Sequence, residues 1–427
     1  MPKRILFISN GHGEDNHSSH IIRSLWELRP DVEIAAMPIV GQGEAYRRLN
    51  VPIIGPTQTM PSGGFTYMNR LLLLGDIRAG IIGLTWEQLR AVQRYAPTCD
   101  LIHATGDQVG QAFAYLSGKP FVSFISPLSS LYENHLHLGP IISRLLKSRR
   151  CLTVFTRDPA TAADLQQQGL TKVQFGGIPS LDRLTPTGKD LQLKLDAPMV
   201  ALLPGSRLPE AVRNFRLQLQ LVQQVTQLPA GDRIQFRAAL VPALMQQLPE
   251  LAASEGWQVD TNGRLWYPAF NNGTDTPVAA EVLCYSDAFN DILHQTTLVI
   301  GMAGLAVDQA VAIGKPVLQI PGEGPQFTYR FAEAQNRLLG LSAQTIGTRP
   351  ATPEILQEAA QRVIETVQDR DYLAACVENG RQRLGAPGAS YRIARQLLHY
   401  LDELPLEQAV ADVDLPHGKG PLNEKTQ

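Results

Sequence analysis

Short apolar runs alternate with stretches of helical period along most of the chain. Arg4–Ser9 reads as a buried strand, Asn10–Asp15 as a polar loop, Ser18–Leu28 as a helix with Ile21, Ile22, Leu25 and Leu28 on one face, and Val32–Met37 as a second strand. A strand, a crossover helix and a second strand predict a parallel sheet. The unit recurs at Leu101–Thr105, Gln108–Leu116 and Phe121–Ile125, and again at Leu152–Thr156, Ala160–Gln168 and Val173–Phe175. From Leu184 to Ala197 the periodicity lapses into a polar stretch with Pro186 and Gly188, which reads as a linker. A second series follows: strands at Met199–Leu203, Ile234–Ala239, Leu298–Ile300 and Pro316–Ile320, with helices at Ala211–Leu228 and Ala306–Ile313. Ser390–Leu404 is a last amphipathic helix, with Ile393, Leu397, Leu398 and Leu401 apolar.

The expected fold is therefore α/β, with two Rossmann-like doubly wound domains facing a cleft. The boundaries are 1–186 for the first domain, 187–385 for the second, 386–404 for a helix crossing back to the first, and 405–427 for a polar, mobile tail.

Composition narrows the class. Of 427 residues, 44% are hydrophobic and 18% charged, which suits a chain with real cores. Lys plus Arg (38) nearly balances Asp plus Glu (40), so a globally basic nucleic-acid binder is excluded. The four cysteines, Cys99, Cys151, Cys284 and Cys376, are widely spaced, which points to a reducing cytoplasm rather than a disulfide framework. The apolar run Ile5–Ile8 is too short for a signal peptide.

Two segments of the second domain carry the strongest chemical signal. In Leu202-Leu203-Pro204-Gly205-Ser206-Arg207-Leu208-Pro209-Glu210 a buried strand ends in a Pro-Gly turn. That turn presents Ser206 and Arg207 at the carboxyl edge of the sheet, where open α/β folds bind ligands. The guanidinium of Arg207 suits a diphosphate, and Glu210 sits where a helix dipole favours a carboxylate. In Gly301-Met302-Ala303-Gly304-Leu305-Ala306-Val307-Asp308 small residues precede a helix start, so Gly301, Ala303 and Gly304 let a phosphate approach the backbone. Asp308, one turn in, suits ribose hydroxyls, and Gln326 in the next loop suits sugar hydroxyls.

The first domain offers His12 in the first βα loop and Asp107 after a strand end, where a carboxylate can also N-cap the following helix. His12, His17 and His20 beside Glu14 and Asp15 are compatible with a metal cluster, but polar loop and cap residues account for them more simply, and no metal is expected. Phe65–Leu74 with Ile77, Ile81, Ile82, Leu84 and Trp86 is rich in large apolar residues beside Arg70 and Arg78. The stretch 65–86 reads either as a core helix or as an interfacial helix making peripheral contact with a membrane.

These segments resemble the GT-B glycosyltransferases, and within them the lipid-A-disaccharide synthase group. Leu202–Glu210 is similar to that group's LLPGSRxxE segment; Gly301–Gln309 with Ala312–Val317 is similar to its small-residue loop, acidic helix residue and strand entry. Phe124–Pro127 and Phe175–Asp182 are looser matches, and the resemblance spans most of residues 1–330. It implies an inverting transfer of a hexosyl group from a UDP-sugar to a lipid or lipid-A-like acceptor. No cofactor or metal is implied, the UDP-sugar being a substrate. Of the two candidate bases Asp107, which falls where the group carries a catalytic aspartate, is preferred to His12, which falls in the first βα loop where several other GT-B families carry a catalytic histidine. The implied place is the cytoplasm, with peripheral attachment to the inner face of the cytoplasmic membrane. The chain departs from the group at Ser9–Asp15, where the group has A-G-E-x-S-G-D, and in carrying Asp308 instead of Glu. Tyr329–Asn336 looks more like the peptidoglycan N-acetylglucosaminyltransferase, which suits a synthase-related branch. The alternatives are a nucleotide-sugar epimerase on the same fold and a catalytically silent nucleotide-binding scaffold; a chain that binds UDP and transfers nothing is the scaffold.

Overall fold

The computed structural model describes residues 2–58, 81–132, 135–268 and 278–403. The first lobe contains β1 (Arg4–Ser9), α1 (His12–Leu28), β2 (Glu33–Pro38), β3 (Leu101–Thr105), α2 (Gln108–Leu116), β4 (Phe121–Ile125), β5 (Cys151–Thr156), α3 (Pro159–Gln167) and β6 (Val173–Phe175). Its six described strands are all parallel, in the order β2-β1-β3-β4-β5-β6. β3 and β4 are buried at every position, as expected of strands covered on both faces. The order reverses direction between β1 and β3, which opens a crevice at their carboxyl ends.

The second lobe contains β7 (Met199–Leu203), α4 (Glu210–Thr226), β8 (Gln235–Ala239), β9 (Gln258–Val259), β10 (Arg264–Pro268), β11 (Val278–Tyr285), β12 (Leu298–Gly301), α5 (Leu305–Ala312), β13 (Val317–Gln319), α6 (Tyr329–Leu339) and β14 (Ala343–Thr345). The sheet order is β14-β13-β12-β7-β8-β11-β10-β9, parallel from β14 to β11 and antiparallel in the last two pairings. The chain thus forms two doubly wound α/β lobes facing one cleft.

The polar stretch from Leu184 to Ala197 is irregular but tied down. Asp291 accepts hydrogen bonds from Thr187 Oγ1 and from the backbone N–H of Gly188 and Lys189, at 2.7–3.0 Å. Leu184 and Leu191 are buried in the second lobe's core. The last helix, α7 (Ala389–Glu403), packs on α1, burying Ile393, Ala394, Leu397 and Leu401 against the first lobe. Asp182 caps its start, accepting from the backbone N–H of Gly388 at 2.5 Å and of Ser390 at 2.6 Å.

One element differs from the expectation in a way that matters for the cleft. α1 starts at His12, not near Ser18, so His12–Asp15 form its first turn rather than a loop. That turn carries no apolar stripe for periodicity to detect. Instead, its polar side chains face the crevice, and the Asp15 N–H closes the turn on Gly11 O at 2.8 Å. The stretch 65–86 lies outside the described residues as far as residue 80; its last part begins the helix Ile81–Tyr95, where Ile82 and Trp86 are exposed and Arg90 lies over the Trp86 ring at 4.9 Å.

Candidate active site

A cavity of about 570 Å³ lies between the lobes at the carboxyl ends of both sheets. Its second-lobe wall begins where β7 ends. Gly205 takes φ +98°, and a Cβ there would stand 3.1 Å from Met302 O, so glycine both turns the chain and admits the neighbouring loop. Asn214 on α4 braces these two loops, donating to Pro204 O at 2.9 Å and Met302 O at 3.3 Å. Arg207 then reaches Gln326, donating from Nη1 to Oε1.

Glu210 lines the cavity but is engaged structurally. Its Oε1 accepts the backbone N–H of Gln326 at 3.0 Å and of Phe327 at 2.6 Å, so the carboxylate holds the loop that presents Gln326. Ser206, Ala303, Gly304 and Asp308 also line the cavity, and Gly304 leaves the gap that Gln326 Nε2 fills. Gly301 does not reach the cavity. A Cβ on it would meet Val307 Cγ2 at 2.6 Å and Val317 Cγ1 at 2.9 Å, so its smallness serves strand–helix packing rather than phosphate approach. Asp308 is not free for a ligand alone, because its Oδ2 is paired with Arg157 Nη2 at 2.7 Å.

The first-lobe wall is titratable. His12 lines the cavity and packs on Gly41, whose φ of +94° and missing Cβ make room for the imidazole. Burial lowers its pKa, and Arg207 across the cleft lowers it further, so the ring is neutral near pH 7. Glu14, also on the cavity, folds over Gly11 and Gly106; burial and then Asp107 raise its pKa, while Arg207 opposes them. Asp15 is pushed up to about 8 by burial, partly offset by Ser9 Oγ, which donates to it at 2.5 Å.

Asp107 is placed differently from His12. It N-caps α2, accepting the Val109 N–H at 3.0 Å, and among the described residues it is not one that lines the cavity. Burial raises its pKa, and the N–H groups of Val109 and of its own backbone oppose the rise. His12, His17 and His20 do not converge: His17 is buried edge-on to Phe124, and His20 feels Arg183, Arg23 and Asp182 instead. Among the described residues no three His, Cys, Asp or Glu side chains are grouped to hold a metal ion.

The sequence did not single out Arg157, Tyr132 or Asn214, all of which line the cavity. The one signal for Arg157 is its position just after a strand, next to Asp158, which caps α3.

Two lobes, a nucleotide-sized cavity at their facing sheet edges and a helix crossing back define the GT-B fold. No model of a protein family matches the chain. Across 94% of its length the chain is similar to the lipid-A-disaccharide synthase of Myxococcus xanthus (strain DK1622), at 23% identity over 422 residues and 98% of that protein. In structure it is similar to CalG4, the calicheamicin glycosyltransferase, with a TM-score of 0.58 at 14% identity, covering 94% of this chain and 99% of that one. It is also similar to MurG of Acinetobacter baumannii (TM-score 0.55, 14% identity, 93% and 100% covered) and to S. aureus MnaA in its co-structure with UDP (0.56, 12%, 94% and 97%). The resemblance to the lipid-A-disaccharide synthase group therefore extends over nearly the whole chain.

Proposed function

We propose that this chain is an inverting glycosyltransferase that moves a hexosyl group from a UDP-sugar to a lipid or lipid-A-like acceptor. Residues 187–385 bind the donor and residues 1–186 the acceptor. The observation that carries this is the facing of Arg207, Gln326 and the α5 N-terminus, on one wall of the cavity, by His12 and Glu14 on the other. The near-complete alignment with a lipid-A-disaccharide synthase supports the lipid acceptor.

In this scheme an acceptor hydroxyl attacks the anomeric carbon as the bond to the UDP oxygen breaks. His12, neutral at pH 7 and exposed to the cavity, takes the hydroxyl proton. Arg207 and the backbone N–H groups at the start of α5 meet the charge that develops on the leaving diphosphate. Asp107 holds α2, and its carboxylate acts on the site through Glu14. Among the described residues no helix is long and apolar enough to cross a membrane. We place the protein in the cytoplasm, with the lipid surface meeting Ile82 and Trp86 of the helix Ile81–Tyr95.

The test is incubation of the purified chain with a panel of UDP-sugars and total cell lipid, followed by mass analysis and anomeric assignment of new glycolipids. A hexosyl-lipid of inverted anomeric configuration, formed with UDP release, is the expected product. Release of an epimerised nucleotide sugar, or UDP binding without transfer from any donor, contradicts the proposal.

A further inference from the structure

Arg157 and Asp308 are 151 positions apart and belong to different lobes, yet their side chains meet at 2.7 Å with 8% and 7% of their surface exposed. Each is held on a rigid element. Arg157 directly follows β5, and the next residue, Asp158, caps α3 by accepting the Thr161 N–H at 2.7 Å. Asp308 lies in the first turn of α5. A second bond crosses nearby, from Gln309 Nε2 to Ser180 O at 3.1 Å. Both members of the pair line the cavity.

The pair is incompletely satisfied. Asp308 Oδ1 and Arg157 Nε are buried without a partner, while Arg157 Nη1 reaches Ser126 O at 3.4 Å. A buried acceptor left unpaired is costly and marks a position that a ligand hydroxyl can satisfy. The two charges cancel, so this end of the cavity suits a neutral group carrying hydroxyls, whereas the diphosphate charge is met at Arg207. Burial dominates and raises the Asp308 pKa, and Arg157 limits the rise both by charge and by hydrogen bond.

We propose that Arg157 is a positioning residue for nucleotide recognition: from the first lobe it orients Asp308 of the second for the ribose hydroxyls of the donor's nucleoside diphosphate. Grip on the nucleotide therefore depends on the lobes being docked, although the diphosphate contacts lie in one lobe. This rests on the UDP-sugar reading above.

The groups facing the pair are Tyr132, His17 and Asp158. Burial raises the Tyr132 hydroxyl to about 12 and lowers His17 to about 3, so neither titrates between pH 7 and 9, and Asp158 is engaged in its cap. The test is calorimetric titration with UDP from pH 7 to pH 9 for wild type, Arg157→Met and Asp308→Asn, with a thermal melt of each. Wild type sets the reference affinity and the reference pH profile. Arg157→Met is expected to bind about tenfold more weakly than wild type at pH 7 and to gain more affinity than wild type as pH rises, because without the arginine the buried carboxyl is held further towards its protonated form. Asp308→Asn, which carries the test if Arg157→Met does not fold, is expected to bind about tenfold more weakly at every pH. An Arg157→Met or Asp308→Asn chain with wild-type affinity and the wild-type pH profile overturns the inference and leaves the UDP-sugar reading intact. A wild-type chain that does not bind UDP overturns both.

Discussion

The two walls of the cleft differ in how their polar groups are held. On the second-lobe wall, Arg207, Glu210, Asn214 and Gln326 bond to one another or to adjoining backbone. On the first-lobe wall, His12, Glu14 and Asp15 are ionisable groups whose pKa values burial shifts in the direction that favours the uncharged form. A braced wall holds a fixed ligand shape, such as a nucleotide diphosphate, without reorganising. A wall of displaced titratable groups is suited to moving a proton. The contrast divides binding from chemistry between the lobes, and substitutions on either side can break it.

The largest effect is expected from Arg207→Ala. Transfer should fall about a thousandfold and UDP affinity with it, because both the ground-state and the developing charge of the diphosphate lose their cation; steady-state rates and calorimetry check this together. His12→Ala should lower kcat by about 10²–10⁴ while UDP affinity stays within about twofold. In the parent, kcat/KM should decline on the acid side as His12 is protonated, with the midpoint below the ordinary histidine value because burial and Arg207 depress it. A loss of UDP binding in His12→Ala would merge the two walls into one binding site.

Smaller effects sharpen the division. Glu210→Gln keeps one acceptor but removes the charge from two backbone bonds, and should weaken UDP by about tenfold with little change in kcat. Asp182→Ala removes the cap of α7, outside the cavity lining; it should cost about 1–2 kcal/mol in a denaturant melt and leave UDP affinity unchanged. Asp15→Asn should raise the melting temperature by about 2–4 °C at pH 8. The folded carboxyl titrates near 8 and the unfolded one near about 3.9, so the unfolded chain releases its proton first and parent stability declines as pH rises between those values. The gain from Asn should therefore shrink towards pH 4, which calorimetry across the window would reveal.

How far the site was legible follows the same division. The second-lobe wall is built from contiguous segments, so Leu202–Glu210 announces a strand, a turn and a helix start in nine residues, and its Arg207 and Ser206 do line the cavity. The lobes themselves were legible because parallel strands read as apolar runs separated by helical periods. The antiparallel edge β9–β10–β11 was not anticipated: β9 has two residues, and β10 is half-buried over most of its length without a crossover helix to frame it. The first turn of α1 escaped because its polar residues face the cleft rather than a core. Asp107 was ambiguous for a chemical reason, since a carboxylate just after a strand and before a helix is what either a cap or a base requires. The Arg157–Asp308 pair lay beyond sequence reasoning, because it joins residues from two lobes that only the fold brings together.

The division of labour is tested most directly by amide hydrogen exchange with and without UDP, resolved to short peptides. Slowed exchange is expected around 203–207, 302–308 and 326–327, with 10–15 unchanged. Slowing confined to 10–15 and 105–109, with the loops around Arg207 and Gly304 unaffected, would place the nucleotide on the other wall and contradict the account.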